Sequence, residues 1–173
     1  MSKQDTDPYV KLAKQSLETY LETGKLMDVP DGLPGEMQKS TGVFVSLKKN
    51  GDLRGCIGTI EPTGMPLSEE IIRFAVISAT EDPRFSPVTK DELPALTYSV
   101  DVLGDPEPAP STDDLDAKVY GVIVSRGHRR GVLLPDLELV DTPEQQIEIA
   151  LRKAGILPQE HYTVERFKVE RHK

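Results

Sequence analysis

The sequence predicts an α+β fold of two lobes with a mostly antiparallel sheet, organised as a pseudo-symmetric pair of ββαβ units behind an N-terminal helix. Three observations carry this prediction. The hydrophobic pattern reads hairpin, helix, strand twice, once on each side of the proline-rich segment Gly104-Asp-Pro-Glu-Pro-Ala-Pro110. The first strands of the two halves share a phrase, Gly42-Val-Phe-Val-Ser46 against Gly121-Val-Ile-Val-Ser125, as an internal repeat would. Neither half shows the long crossover helices of a doubly wound parallel sheet, and the glycine fingerprints of phosphate-loop and dinucleotide-binding folds are missing. The 173 residues are therefore read as one domain, with lobes at 1–104 and 111–173 joined by the segment 104–110.

The elements follow in order. Asp7 is a capping residue, Pro8 suits the first helical position, and Val10, Ala13, Leu17 and Leu21 recur at helical spacing before Gly24, so residues 8–23 read as an amphipathic helix. Residues 28–42, with Pro30, Gly32, Pro34 and Gly35, read as a surface loop. Val43 to Leu47 and Leu53 to Ile60 are the arms of a hairpin closed by Asn50-Gly51. Residues 68–80 are apolar almost all round, the mark of a helix buried on most sides. Asp82-Pro83 ends it, and Thr89 with Glu92 forms a capping box for a short turn. Residues 95–103 alternate, with Leu96, Tyr98, Val100 and Val102 on the core face and Thr97, Ser99 and Asp101 opposite. Beyond the prolines come strands at 119–125 and 131–134, a helix opened by Thr142-Pro-Glu-Gln145 and closed by Gly155, and a last strand at about 162–169.

A chain of this length buries about 70% of the surface its unfolded form exposes, so a core forms without a disulfide or metal. Acidic residues number 29 and basic ones 21, a net charge of −8, which repels phosphate backbones and anionic lipid and argues against general nucleic-acid binding. No apolar run approaches the roughly 18 residues of a membrane span. The start, Met1 to Asp7, lacks the charged-then-apolar order of a secretory signal, so a cytoplasmic location is expected. With one cysteine and three histidines (His128, His161, His172), neither an internal disulfide nor a sulfur-rich zinc or iron–sulfur site within one chain is available. No metal or cofactor is indicated.

Three clusters are candidates for chemistry. In Leu53-Arg-Gly-Cys-Ile-Gly-Thr-Ile60, strand alternation places Arg54 and Cys56 on one face, about 7 Å apart at the backbone. A guanidinium there favours the reactive thiolate. Gly55 and Gly58 suggest a bulge or the close approach of a ligand or another backbone. The plainer reading makes Cys56 a small buried hydrophobe beneath the helix at 68–80. A nucleophile also needs a base, and His128 is the candidate. In Asp82-Pro-Arg-Phe85, Asp82 and Arg84 are presented by a rigid loop that Phe85 anchors, or they simply form a local ion pair at a helix stop. Arg126-Gly-His-Arg-Arg130 is a basic turn in an acidic chain, either solvated or an anion or partner site.

Read together, Gly42-Val-Phe-Val-Ser-Leu47, Leu53-Arg-Gly-Cys-Ile-Gly58, Asp82-Pro-Arg-Phe85, Ser99-Val-Asp-Val-Leu103 and Arg130-Gly-Val-Leu-Leu-Pro135 resemble the AMMECR-domain family, whose stand-alone prokaryotic members are called AmmeMemoRadiSam system protein A. The resemblance runs from the first helix to Phe167, and Leu-Arg-Gly-Cys-Ile-Gly is its signature. It implies an α+β fold, a gene context shared with a Memo-like protein related to extradiol dioxygenases and with a radical SAM protein, and a site around Arg54, Cys56 and the glycines. Some relatives carry the Memo-like domain on the same chain, which this length leaves no room for. Many relatives follow the Leu-Leu-Pro segment with Gln-Val, a Trp and a second Cys. Here the chain runs Asp136-Leu137-Glu138 and Ala150-Leu151-Arg152, with neither residue.

Two functional readings result. One is an accessory or interaction module whose signature surface docks a Memo-like or radical SAM protein. The other is a small-molecule-binding or catalytic domain with a Cys56-centred cleft, where Arg54 and Arg84 hold a small anionic ligand.

Overall fold

The computed structural model describes residues 6–173, so the leader-free reading of the start falls largely outside the described residues. The chain divides into two compact units, one running up to Val102 and including Arg171–Lys173, the other Leu103–Glu170. No helix among the described residues is long and apolar enough to cross a membrane.

Unit 1 opens with α1 (Pro8–Thr23), where the Asp7 carboxylate accepts the Tyr9 and Val10 N–H groups and Gly24 closes the helix at φ 76°. A short 3-10 turn at Gly35–Gln38 interrupts the following loop and buries Met37. Next come β1 (Val43–Lys49), β2 (Asp52–Thr59), α2 (Leu67–Thr80) and β3 (Leu96–Leu103). The hairpin turn has Asn50 at φ 52° and Gly51 at φ 89°, the left-handed pair that suits strand twist. β1 pairs antiparallel with β2 on one side and β3 on the other. Val43, Val45, Leu47, Tyr98 and Val100 form a buried face that shares one core with Leu17 of α1 and with Ile71 and Ala75 of α2.

Unit 2 repeats the order with β5 (Tyr120–Arg126), β6 (Arg129–Leu133), α3 (Pro143–Ala154) and β7 (Thr163–His172), the last two residues of β7 belonging to unit 1. β5 again pairs with its hairpin partner β6 and with the closing strand β7. Thr142 and Gln145 form the capping box and Gly155 ends α3 at φ 70°. Each unit also lays its helix over a return-strand glycine. A Cβ at Gly55 would overlap the Ser78 carbonyl oxygen, and one at Gly131 the Ala150 carbonyl oxygen. The predicted α+β pair of ββαβ units is the observed architecture.

Two local features depart from the sequence reading. The proline-rich segment contributes a short strand, β4 (Glu107–Pro108), paired to Arg166 and Glu165, with Gly104 and Ala109 N–H groups bonded to the Lys168 and Val164 carbonyls. Asp101, placed by alternation on the polar face, is only 3% exposed, because the Arg171 guanidinium grips its carboxylate at 2.8 and 3.1 Å.

Candidate functional site

The candidate site lies on unit 1 where β2, the end of α2 and the loop after it meet. Cys56 stands opposite Ser46, and Ser46 opposite Ser99, a row on the sheet face away from the core. The Ser46 hydroxyl donates to the Cys56 sulfur at 3.1 Å. Cys56 also donates its N–H to Asp82 Oδ2 at 3.0 Å. Asp82 is 4% exposed and accepts from Arg84 Nε at 3.0 Å, from Arg84 Nη2 at 2.8 Å and from the Arg84 N–H at 3.1 Å. The Arg84 side chain remains 56% exposed, its guanidinium 3.4 Å from the Cys56 carbonyl and stacked 5.4 Å from the Phe85 ring. Val88, rather than the half-buried Phe85, is the buried anchor of this loop.

Arg54 is placed differently from the sequence expectation. Lys48 pairs with Leu53 and Leu47 with Gly55, so Arg54 is the extra residue of a bulge, and the parity that put it beside Cys56 is broken. Its guanidinium forks onto Glu92 at 2.9 and 3.2 Å and bonds the Ser86 carbonyl at 2.8 Å. The glycines also admit the chain's own backbone. The Ser78 carbonyl occupies the space over Gly55, and the β1 backbone at Val43 and Phe44 that over Gly58. His128 lies in the exposed β5–β6 turn of unit 2.

The electrostatics do not activate the thiol. Burial pushes Cys56 up, the Ser46 hydrogen bond opposes this, Asp101 and Asp82 raise it further, and Arg84 lowers it. A protonated thiol at neutral pH results, contrary to the thiolate expected from an adjacent Arg54. The Arg84 hydrogen bonds hold Asp82 well below the usual carboxylate range against an opposing burial cost. Among the described residues no group of three or more His, Cys, Asp or Glu is placed to hold a metal ion.

Sequence reasoning missed three contributors to this site. Ser46 is the sulfur's partner. Asp101 is a buried charge that acts on the thiol. Ser78 inserts its hydroxyl into the ladder, accepting the Ile57 N–H at 2.9 Å and donating to the Val45 carbonyl at 2.8 Å. The fourth new role falls to Glu92, predicted as a cap, which also clamps the bulge. The Arg54 bond, the Thr89 N–H and Lys49 hold its carboxyl down at about 2. A depressed folded value stabilises above the ordinary value of 4.5 and is lost as pH falls toward 2. Acid unfolding followed by circular dichroism should therefore steepen across that window, and Glu92→Gln should flatten it; an unchanged profile would refute the clamp.

The AMMECR1 family model matches residues 10–172. The chain belongs to the AMMECR1 family. A Clostridium acetobutylicum protein is 56% identical over 173 residues, covering 99% of this chain but 37% of its own length. This AMMECR1 chain thus spans little more than a third of that relative. A Thermotoga maritima protein is 49% identical over 170 residues, with 96% of this chain and 97% of the relative covered. The crystal structure of an uncharacterized Pyrococcus horikoshii protein superposes with a TM-score of 0.87 at 34% identity, covering 96% of this chain and 91% of that one.

Proposed function

We propose that this AMMECR1-family chain is an accessory or interaction module that works in the cytoplasm with a Memo-like protein and a radical SAM protein, docking through the Arg84 end of the Cys56 cluster. One observation carries the reading: at 56% identity, the C. acetobutylicum relative carries the same domain within a chain nearly three times as long. A domain that is one part of the C. acetobutylicum relative and nearly the whole of the T. maritima relative is suited to act beside a partner. The site supports this, because an exposed guanidinium held by a buried carboxylate is a rigid, charged recognition element, whereas a thiol kept protonated by burial and by the Asp101 and Asp82 charges is a poor nucleophile.

The test is co-expression of the tagged chain with the Memo-like and radical SAM proteins of its own genome. Retention of one of them is expected, weakened about tenfold by Arg84→Gln when read well below the melting temperature, which falls because the buried Asp82 carboxylate loses its cation. No retention, or retention indifferent to Arg84→Gln, would overturn the proposal. The second reading, a small-ligand or catalytic cleft, is favoured by the half-buried sulfur beside that guanidinium. A thiol alkylated with an apparent pKa well below about 8.5 would select it.

A further inference from the structure

We propose that unit 2 carries a separate binding site, at the turn of the β5–β6 hairpin, for a small phosphorylated molecule with an aromatic ring, of the nucleoside monophosphate class. A concavity of about 690 Å³ lies there, walled by Arg126, His128 and Arg129 from the turn and by His161 and Tyr162 from the entry to β7. That volume falls within the roughly 300–1,000 Å³ of small-molecule sites. No lining residue is acidic.

The two arginines are held as well as reachable. Arg126 Nη1 donates to the His161 carbonyl at 2.6 Å and Arg129 Nη1 to the Gly155 carbonyl at 2.8 Å. Both meet the Glu160 carboxylate, at 3.4 and 2.7 Å, so two guanidiniums share one counter-charge and the pair keeps a net positive charge. Their side chains stay 43% and 33% exposed. Preorganised planar donors of this kind match phosphate oxygens, while the exposed His128 and His161 imidazoles supply flat faces for a ring to stack on. In a chain of net charge −8, a local positive hollow focuses a single phosphate while the surrounding field repels a polyanion, which selects a small ligand over nucleic acid.

Isothermal titration of the full chain with adenosine monophosphate, inorganic phosphate and adenosine tests this. Saturable binding of the monophosphate is expected, weaker binding of phosphate, and the least of adenosine. Arg126→Gln should weaken the monophosphate about tenfold. His128→Glu, in an exposed turn, should weaken it comparably without affecting the fold, and Lys39→Gln, in an exposed ion pair of unit 1, should leave it unchanged. Absence of saturable monophosphate binding, adenosine binding as tightly as its monophosphate, or indifference to His128→Glu would each overturn the proposal.

Discussion

Gly55→Ala should destabilise the protein by about 3 kcal/mol, the upper range of overpacking costs. The added methyl would overlap the Ser78 carbonyl oxygen. That oxygen belongs to helix backbone, so relief requires α2 to lift from β2 or β2 to shift against β1. Either movement disturbs the Ser78 hydroxyl that spans Ile57 and Val45. Urea unfolding gives the readout. With a slope of about 1–3 kcal/mol/M for a small protein, the midpoint should fall by about 1 M or more. Gly35→Ala is the control, since nothing lies within 4 Å of a Cβ there, and its change should stay within about 0.5 kcal/mol. Equal midpoints for the two variants would refute the close approach. Gly131→Ala should reproduce the Gly55→Ala loss in unit 2, where the Ala150 carbonyl takes the Ser78 role.

Arg171→Ala should cost a similar amount, about 3 kcal/mol, because it strips the guanidinium from a carboxylate that is 3% exposed. The penalty arises from the stranded charge more than from the lost pair. Asp101→Asn in the Arg171→Ala background should therefore recover part of the stability. A double variant no more stable than Arg171→Ala would place the loss in side-chain packing instead.

The legible parts of this fold were those written in adjacent residues. Asp7 and Pro8 marked the start of α1, Thr142 and Gln145 that of α3, and Asn50-Gly51 the first hairpin, because a cap or turn is satisfied within about four residues. The illegible parts depend on partners far along the chain. Asp101 meets Arg171 at a separation of 70 residues, Arg54 meets Glu92 at 38, and Ser78 meets Val45 at 33. Alternation gave Asp101 the correct face but not its burial. It misassigned Arg54 because one extra residue in a bulge reverses the parity. β4 escaped because prolines argue against a strand, and Pro108 is tolerated only as a short edge element. The signature glycines were correctly marked as places of close approach, yet their neighbour is the chain's own backbone.

The end of α2 and its following loop have one more consequence, for self-association. β2 is the outermost strand of its sheet, the place where a second molecule's strand would add and start an aggregate. The Asp82 carboxylate occupies the Cys56 N–H, a charged bulge residue interrupts the strand at Arg54, and the Arg84 side chain overhangs the Cys56 carbonyl. A border furnished in this way offers an incoming strand neither a continuous row of donors nor a flat approach. The loop that builds the candidate site thus also guards the β2 edge against uninvited pairing.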